Sequence, residues 1–312
     1  MFSVTEIRNH EGVLQWREDH LTGLRCKISP GRLKRGLDAR YVAPPVQEGC
    51  PFCRDRILTE TPVFANGERI CIGESVTFPN LFPFAAWHTV TVITRDHLVE
   101  RFNSRQVRDA LAGQMRSLAD VAGYPSINWN YLPSAGASIA HPHLQGLVDA
   151  RPTVLAEKYL LGSKRYRVRT GQSYWEDLID REKDGERYLF GDEITWLASA
   201  VPLGEREVRG ILPIGSLQDF EPYIDEFAEG IIRVLEYYRE MGTHSFNMSL
   251  FFDCQRGDGS FQAFCSMISR INPNASSLAD TAFMERLHLE PVILTLPEEL
   301  GSKFRERGLL KG

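Results

Sequence analysis

Part of this chain is written twice, and a duplicated stretch has to fold alike in both copies. After Asn103 or Ser104 as N-cap, Val107, Leu111, Met115, Leu118 and Val121 recur at helical spacing. Ile224, Phe227, Ile231, Leu235 and Tyr238 do the same in a second stretch that is predicted to start near Gln218 and to stop at Gly242. Laying Leu111 on Ile231 puts Met115 on Leu235 and Leu118 on Tyr238, a constant offset of 120 residues. A short apolar strand and a turn precede each helix: Thr89 to Thr94 with Asp96 and His97, and Val208 to Pro213 with Ser216 and Leu217. A strand with a shared asparagine follows each, at Ile127–Asn130 and Phe246–Ser249, and then a further strand, at Ala140–Val148 and Phe261–Ser269. The pattern predicts an α+β fold of two strand-helix-strand-strand units, each an antiparallel sheet with one helix packed on it. The first half spans residues 1–165 and the second residues 166–312. Arg151 to Arg187, charged and interrupted by glycines, reads as a linker with local helix. Pro291 and Pro297 preclude one long helix in the tail.

The halves differ in chemistry. His141, His143 and Gln145 lie two apart between Ile139 and Leu147, so on a strand they project to one side. Three polar groups on one face need partners: a metal, a ligand or each other. A solvated strand face is the bland alternative. A neutral imidazole is a competent nucleophile toward phosphorus, splitting one displacement into two, and His143 is the candidate. The second half has Phe264 and Ser266 where the first has His141 and His143, and Leu217 where the first has His97. It reads as a scaffold copy. Upstream, Gly136 lets backbone approach a phosphate and Ser138 can donate to one of its oxygens.

Cys50 and Cys53 form a CxxC pair, and with His97 and His141 they make a Cys2His2 set of the softness zinc prefers. The steps from Cys53 to His97 and from His97 to His141 are both 44 residues, so this is no local finger. A redox CxxC and two unrelated buried thiols are the alternatives. His88 rivals His97 as the imidazole ligand; His97 is favoured because it follows a strand end beside Asp96. Six cysteines in 312 residues make no dense disulfide framework, and a cytosolic location is expected. The net charge of -5 argues against a nucleic-acid binder, while Arg32, Lys34 and Arg35 suffice to meet a phosphate. No apolar run reaches the roughly 20 residues that span a bilayer, and Met1 to Gln15 does not read as a signal peptide.

The string Asn130 to Gln145, with Gly136, Ser138 and His141-Pro142-His143-x-Gln145, resembles the galactose-1-phosphate uridylyltransferase branch of the histidine-triad superfamily. So do Ser29-Pro30-Gly31-Arg32-Leu33-Lys34-Arg35, Cys50-Pro51-Phe52-Cys53, Phe78-Pro79-Asn80 and Asp96-His97, in the expected order. The resemblance runs from about residue 25 to 150 and more faintly to about 270. It implies duplicated histidine-triad-like halves, and zinc held by Cys50, Cys53, His97 and His141. It makes His143 the nucleophile, with Gln145 on the transferring phosphoryl group. Asn80, Asn130, Gly136 and Ser138 would line the nucleotide and phosphate site, and Arg32 and Arg35 would meet substrate phosphates. The reaction implied is ping-pong transfer of a nucleotidyl group from a nucleoside diphosphate sugar to a sugar 1-phosphate or phosphate. UDP-glucose–hexose-1-phosphate uridylyltransferase heads the candidates. ADP- or GDP-sugar or diadenosine tetraphosphate phosphorylases, and a histidine-triad hydrolase, stand as alternatives. Gln145, where hydrolase relatives usually have a third histidine, favours a phosphate acceptor over water. A homodimer is implied. Some members hold a second metal with a glutamate, here Glu157, and second-half histidines; with Phe264 and Ser266 in place, no second metal is expected.

Overall fold

The computed structural model describes residues 1–10, 12–35, 44, 48–272 and 279–308. At the N-terminus, β1 (Phe2–Asn9), β2 (Gly12–Asp19) and β3 (Arg25–Ile28) form an antiparallel meander. A late strand, β14 (Val292–Ile293), pairs in parallel with β3. A one-turn helix α1 (Ile57–Glu60) follows the Cys50–Cys53 segment.

The remaining strands build one sheet. The first five are β4 (Ile70–Ile72), β5 (Ser75–Pro79), β6 (Trp87–Val92), β7 (Tyr124–Tyr131) and β8 (His143–Asp149). The others are β9 (Tyr188–Phe190), β10 (Thr195–Ala198), β11 (Val208–Ile211), β12 (Ser245–Phe251) and β13 (Phe264–Arg270). Their order is β4-β5-β6-β8-β7-β12-β13-β11-β10-β9, a mirrored pair of five-strand halves. The sequence predicts two sheets; the structure joins them into one through β7 and β12, which pair with Asn130 opposite Asn247.

Each half contributes a helix to the same face. Asn103 caps α2 (Ser104–Leu118) through a reciprocal box in which its side chain accepts from the Gln106 amide at 2.9 Å. Its counterpart α5 (Ile224–Glu240) starts six residues later than the sequence pattern suggests. Residues Glu221–Tyr223 form a 3-10 turn instead, since Pro222 offers no amide and disfavours α-helical backbone at Glu221. Leu111, Ile231 and Leu235 bury themselves against Trp129, Leu144, Leu250 and Cys265 of the sheet. Each such large aliphatic side chain contributes about 1.5–3 kcal/mol relative to exposure.

Alternation along the strands decides what lies on the opposite face. Over the strands of the second half, α3 (Val154–Thr170) and α4 (Tyr174–Glu182) cover it, with Tyr159 and Trp175 packed on Phe264. These two helices are the structure of the stretch read as a linker. Ser266 on that face bonds Glu207, which holds the buried Arg209 at 2.9 Å. In the first half the same face carries His143 and Gln145 and is overlain by the segment around Cys50, Phe52 and Ile57. In the tail, α6 (Pro297–Glu306) begins with Pro297 in its first turn, as the tail's prolines require. Among the described residues no helix is long and apolar enough to cross a membrane.

Candidate active site and metal centre

The Cys50-Pro51-Phe52-Cys53 segment closes on itself, with the Cys53 amide donating to the Cys50 carbonyl and the Arg56 and Ile57 amides to that of Cys53. This turn brings both sulfurs to one side. Phe52 anchors it, edge-on to His143 at 5.4 Å between ring centres and tilted on Phe78 at 5.7 Å. His97 follows the end of β6. His141 precedes β8, which begins only at His143; Pro142 between them has no amide to give to a ladder.

Cys50, Cys53, His97 and His141 converge, their ligand atoms all within 4.8 Å of one another. Cys53 Sγ lies 3.4 Å from His97 Nδ1, and Cys50 Sγ and Cys53 Sγ each lie 3.8 Å from His141 Nδ1. A tetrahedral zinc ion with bonds of about 2.3 Å to sulfur and 2.0–2.1 Å to nitrogen would separate S from N by about 3.5 Å, so the residues fit that ion. His141 Nε2 donates to the Thr94 carbonyl at 2.8 Å, which leaves Nδ1 as the free lone pair inside the cluster. Burial and the neighbouring Cys50 push the Cys53 thiol up to about 11, and burial pulls His141 down to about 4. A divalent cation reverses the first effect by stabilising the thiolate. His88, the rival ligand, stands outside the cluster, beside Gln145.

The carbonyl of His141 has a second task. It accepts from His143 Nδ1 at 2.8 Å, which fixes the neutral tautomer with its proton on Nδ1 and the lone pair on Nε2. Burial lowers the His143 pKa further than this bond raises it, so the imidazole stays neutral at pH 7. His143 and Gln145 share a face of β8, on the side away from α2 and α5.

A loop between β7 and β8 flanks them. Leu132 takes φ 73 with ψ 157 and Gly136 φ 87; the first is a positive-φ extended conformation that costs a leucine about 1–3 kcal/mol. Nothing lies within 4 Å of where a Cβ on Gly136 would project, and Ser138 is exposed. Asn130, at the end of β7, accepts from Asn247 Nδ2 at 2.6 Å. Asn80, after β5, approaches the His88 ring at 2.9 Å. Arg32 is exposed in the 3-10 turn Pro30–Arg35 that ends β3, and among the described residues no hydrogen bond or ion pair links it to His143 or Gln145. The side chain of Arg35 lies outside the described residues.

An uncharacterised protein of Archaeoglobus fulgidus is 30% identical over 314 residues, covering 95% of this chain and 93% of its own. The chain belongs to one family with that archaeal protein. No protein-family model matches it. Among solved structures, an ADP-glucose phosphorylase from Arabidopsis thaliana with bound ADP-glucose superposes at a TM-score of 0.74 with 16% identity, over 94% of this chain and 99% of that one. A uridylyltransferase superposes at 0.69 with 18% identity, over 93% and 97%. The chain therefore shares the fold of that phosphorylase and that uridylyltransferase.

Two residues of this family member's site escape sequence reasoning. Asn247, in the second half, donates to the Ala135 carbonyl at 2.8 Å as well as to Asn130, and accepts from Arg270 at 2.6 Å. It thus ties the loop after β7 to the opposite half. Its only sequence signal is the asparagine shared by the two repeats. The other is His88, whose hydrogen bond to Gln145 joins strands 57 residues apart in sequence.

Proposed function

We propose that the chain is a nucleotidyltransferase. It takes a nucleoside monophosphate from a nucleoside diphosphate sugar onto His143 Nε2 and passes it to a sugar 1-phosphate or inorganic phosphate. The observation that supports this reading is the bond from His143 Nδ1 to the His141 carbonyl, which leaves a neutral, buried nucleophile beside Gln145.

The steps follow from those groups. The Nε2 lone pair attacks the α-phosphorus in line; the new P–N bond forms as the P–O bond to the sugar 1-phosphate breaks. The imidazole then carries positive charge; its proton stays on Nδ1 and is donated to the His141 carbonyl, which stabilises that charge. The Gln145 amide and the Ser138 hydroxyl donate to phosphoryl oxygens as charge builds on them. An acceptor phosphate oxygen next attacks the same phosphorus, the P–N bond breaks, and neutral His143 is restored. Cys50, Cys53, His97 and His141 would hold zinc, whose contribution is to fix His141 and with it the carbonyl that orients His143.

The catalytic groups lie in residues 1–165, and Gly136, Asn80, Asn130, Arg32 and Arg35 complete the substrate-binding set. The specific reading is UDP-glucose–hexose-1-phosphate uridylyltransferase. An ADP-sugar phosphorylase uses the same steps with phosphate as acceptor, and the Arabidopsis structure's bound ADP-glucose keeps it as the second reading. A cytosolic homodimer is part of the proposal.

The test is covalent labelling. Incubated without acceptor, α-phosphate-labelled UDP-glucose or ADP-glucose should mark the protein to at most one group per chain, the choice of donor reporting the base. The mark should be lost in acid and survive base, and His143→Asn should abolish it while retaining zinc. No mark from UDP-, ADP- or GDP-sugars, together with intersecting double-reciprocal plots, would overturn the proposal.

A further inference from the structure

The bond between His88 and Gln145 can be assigned a direction. Asn80 Oδ1 accepts the Phe82 backbone amide at 3.0 Å, so the Asn80 NH2 group must face His88. The Phe84 backbone amide points at His88 Nδ1 at 3.4 Å. Backbone amides can only donate, so Nδ1 is an acceptor, and the Asn80 NH2 group, 3.3 Å away, shares it. A neutral ring with Nδ1 bare carries its proton on Nε2. The 2.9 Å approach of the Asn80 nitrogen to Nε2 is then a close contact and not a bond. Nε2 lies 3.0 Å from Gln145 Oε1, and its proton goes there. His88 is buried, and burial lowers its pKa further than Gln145 raises it, in keeping with a neutral ring. Phe84 packs edge-on against the ring at 4.4 Å and holds it in place.

An amide has two ends, and a glutamine at rest in water points either one at a ligand. Here the carbonyl end is taken. The Gln145 NH2 group has no hydrogen-bond partner among the described residues, and it lies on the strand face of His143. We propose that His88 is a positioning residue, which turns the Gln145 amide so that its NH2 donates to an oxygen of the transferring phosphoryl group. With the amide reversed, a carbonyl oxygen would meet that oxygen and repel it. The loop Asn80–Phe84 supplies the donors that set the His88 tautomer, so the turn after β5 reaches the reacting group through this ring. The proposal rests on the nucleotidyl-transfer reading above.

A double-mutant cycle on the intact chain tests it, with the single-turnover rate of labelling by α-phosphate-labelled UDP-glucose or ADP-glucose as the readout. His88→Leu should slow labelling by on the order of tenfold to a hundredfold, at or below the roughly 100- to 1000-fold cost of deleting an oxyanion donor outright. Zinc content and donor affinity should hold. In a Gln145→Ala background His88→Leu should cost nothing further, because the group it orients is gone. His88→Gln, whose amide places a donor where Nε2 stood, should recover most of the rate. Should His88→Leu fail to fold, His88→Asn, which keeps an amide near Nδ1 and withdraws the distal donor, must show the same loss. An equal loss from His88→Leu whether or not Gln145→Ala is also present, or no recovery with His88→Gln, would overturn the role of His88 alone. A wild-type protein that no donor labels would overturn the transfer reading and this inference with it.

Discussion

Replacing Asn247 by alanine tests whether the half without catalytic histidines serves the site. Asn247 donates to Asn130 Oδ1 and to the Ala135 carbonyl, and accepts from the Arg270 guanidinium. Two neutral hydrogen bonds contribute about 0.5–1.5 kcal/mol each, and one from a charged donor about 1.5–3 kcal/mol. The gross sum is not lost in full, because Asn247 is only half-buried and Arg270 keeps its ion pair with Asp280 at 2.5 Å. A net destabilisation of about 2 kcal/mol is expected, read as a lower urea midpoint at unchanged slope. The larger effect should fall on chemistry. Leu132, strained at φ 73, and the Ala135–Gly136 turn would lose their tether and relax. A misplacement of about 1 Å costs as much as a hundredfold in rate. Labelling of His143 should therefore slow by on the order of tenfold to a hundredfold, while zinc content stays at the wild-type value. A variant that loses stability yet labels within about threefold of wild type would refute the view that the second half holds the loop after β7 in place for the reaction, since the scale of a positioning loss is far larger.

Purified protein should contain about one zinc per chain, and Cys50→Ser should lower metal content and stability together, because metal binding is coupled to folding; full zinc in that variant by atomic absorption would exclude Cys50 as a ligand. Acid should weaken a separate element of the fold. Burial would raise the Glu298 pKa, but Arg17 and Arg187 outweigh it and hold the carboxyl at about 2, below its ordinary 4.5. A folded value below the unfolded one gives stability that is present above about 4.5 and is lost as pH falls toward about 2. Glu298→Gln should flatten the stability curve across that window, measured by urea unfolding at stepped pH, and an unchanged slope would remove this carboxylate from the account.

The sequence by itself determined what is local or periodic. Asn103 with Gln106 writes a helix start that the backbone obeys, and the Leu111 and Ile231 stripes fix which helix face is buried, because side-chain direction follows from the 3.6-residue repeat. The cluster of Cys50, Cys53, His97 and His141 was legible too, since these residue types have few other uses at such spacing, and the structure brings the four together. What the sequence left open is whatever depends on pairing between distant strands. Two similar halves read as two sheets, and only the match of β7 with β12 joins them into one. The predicted start of the second helix failed at Pro222, where missing amides overrode apolar periodicity. Tertiary structure alone decided that the His141 carbonyl holds His143, that Asn247 braces the loop after β7 and that His88 faces Gln145. Each is a hydrogen bond a few ångströms long, and its direction depends on strand register and turn geometry that no run of residues encodes on its own.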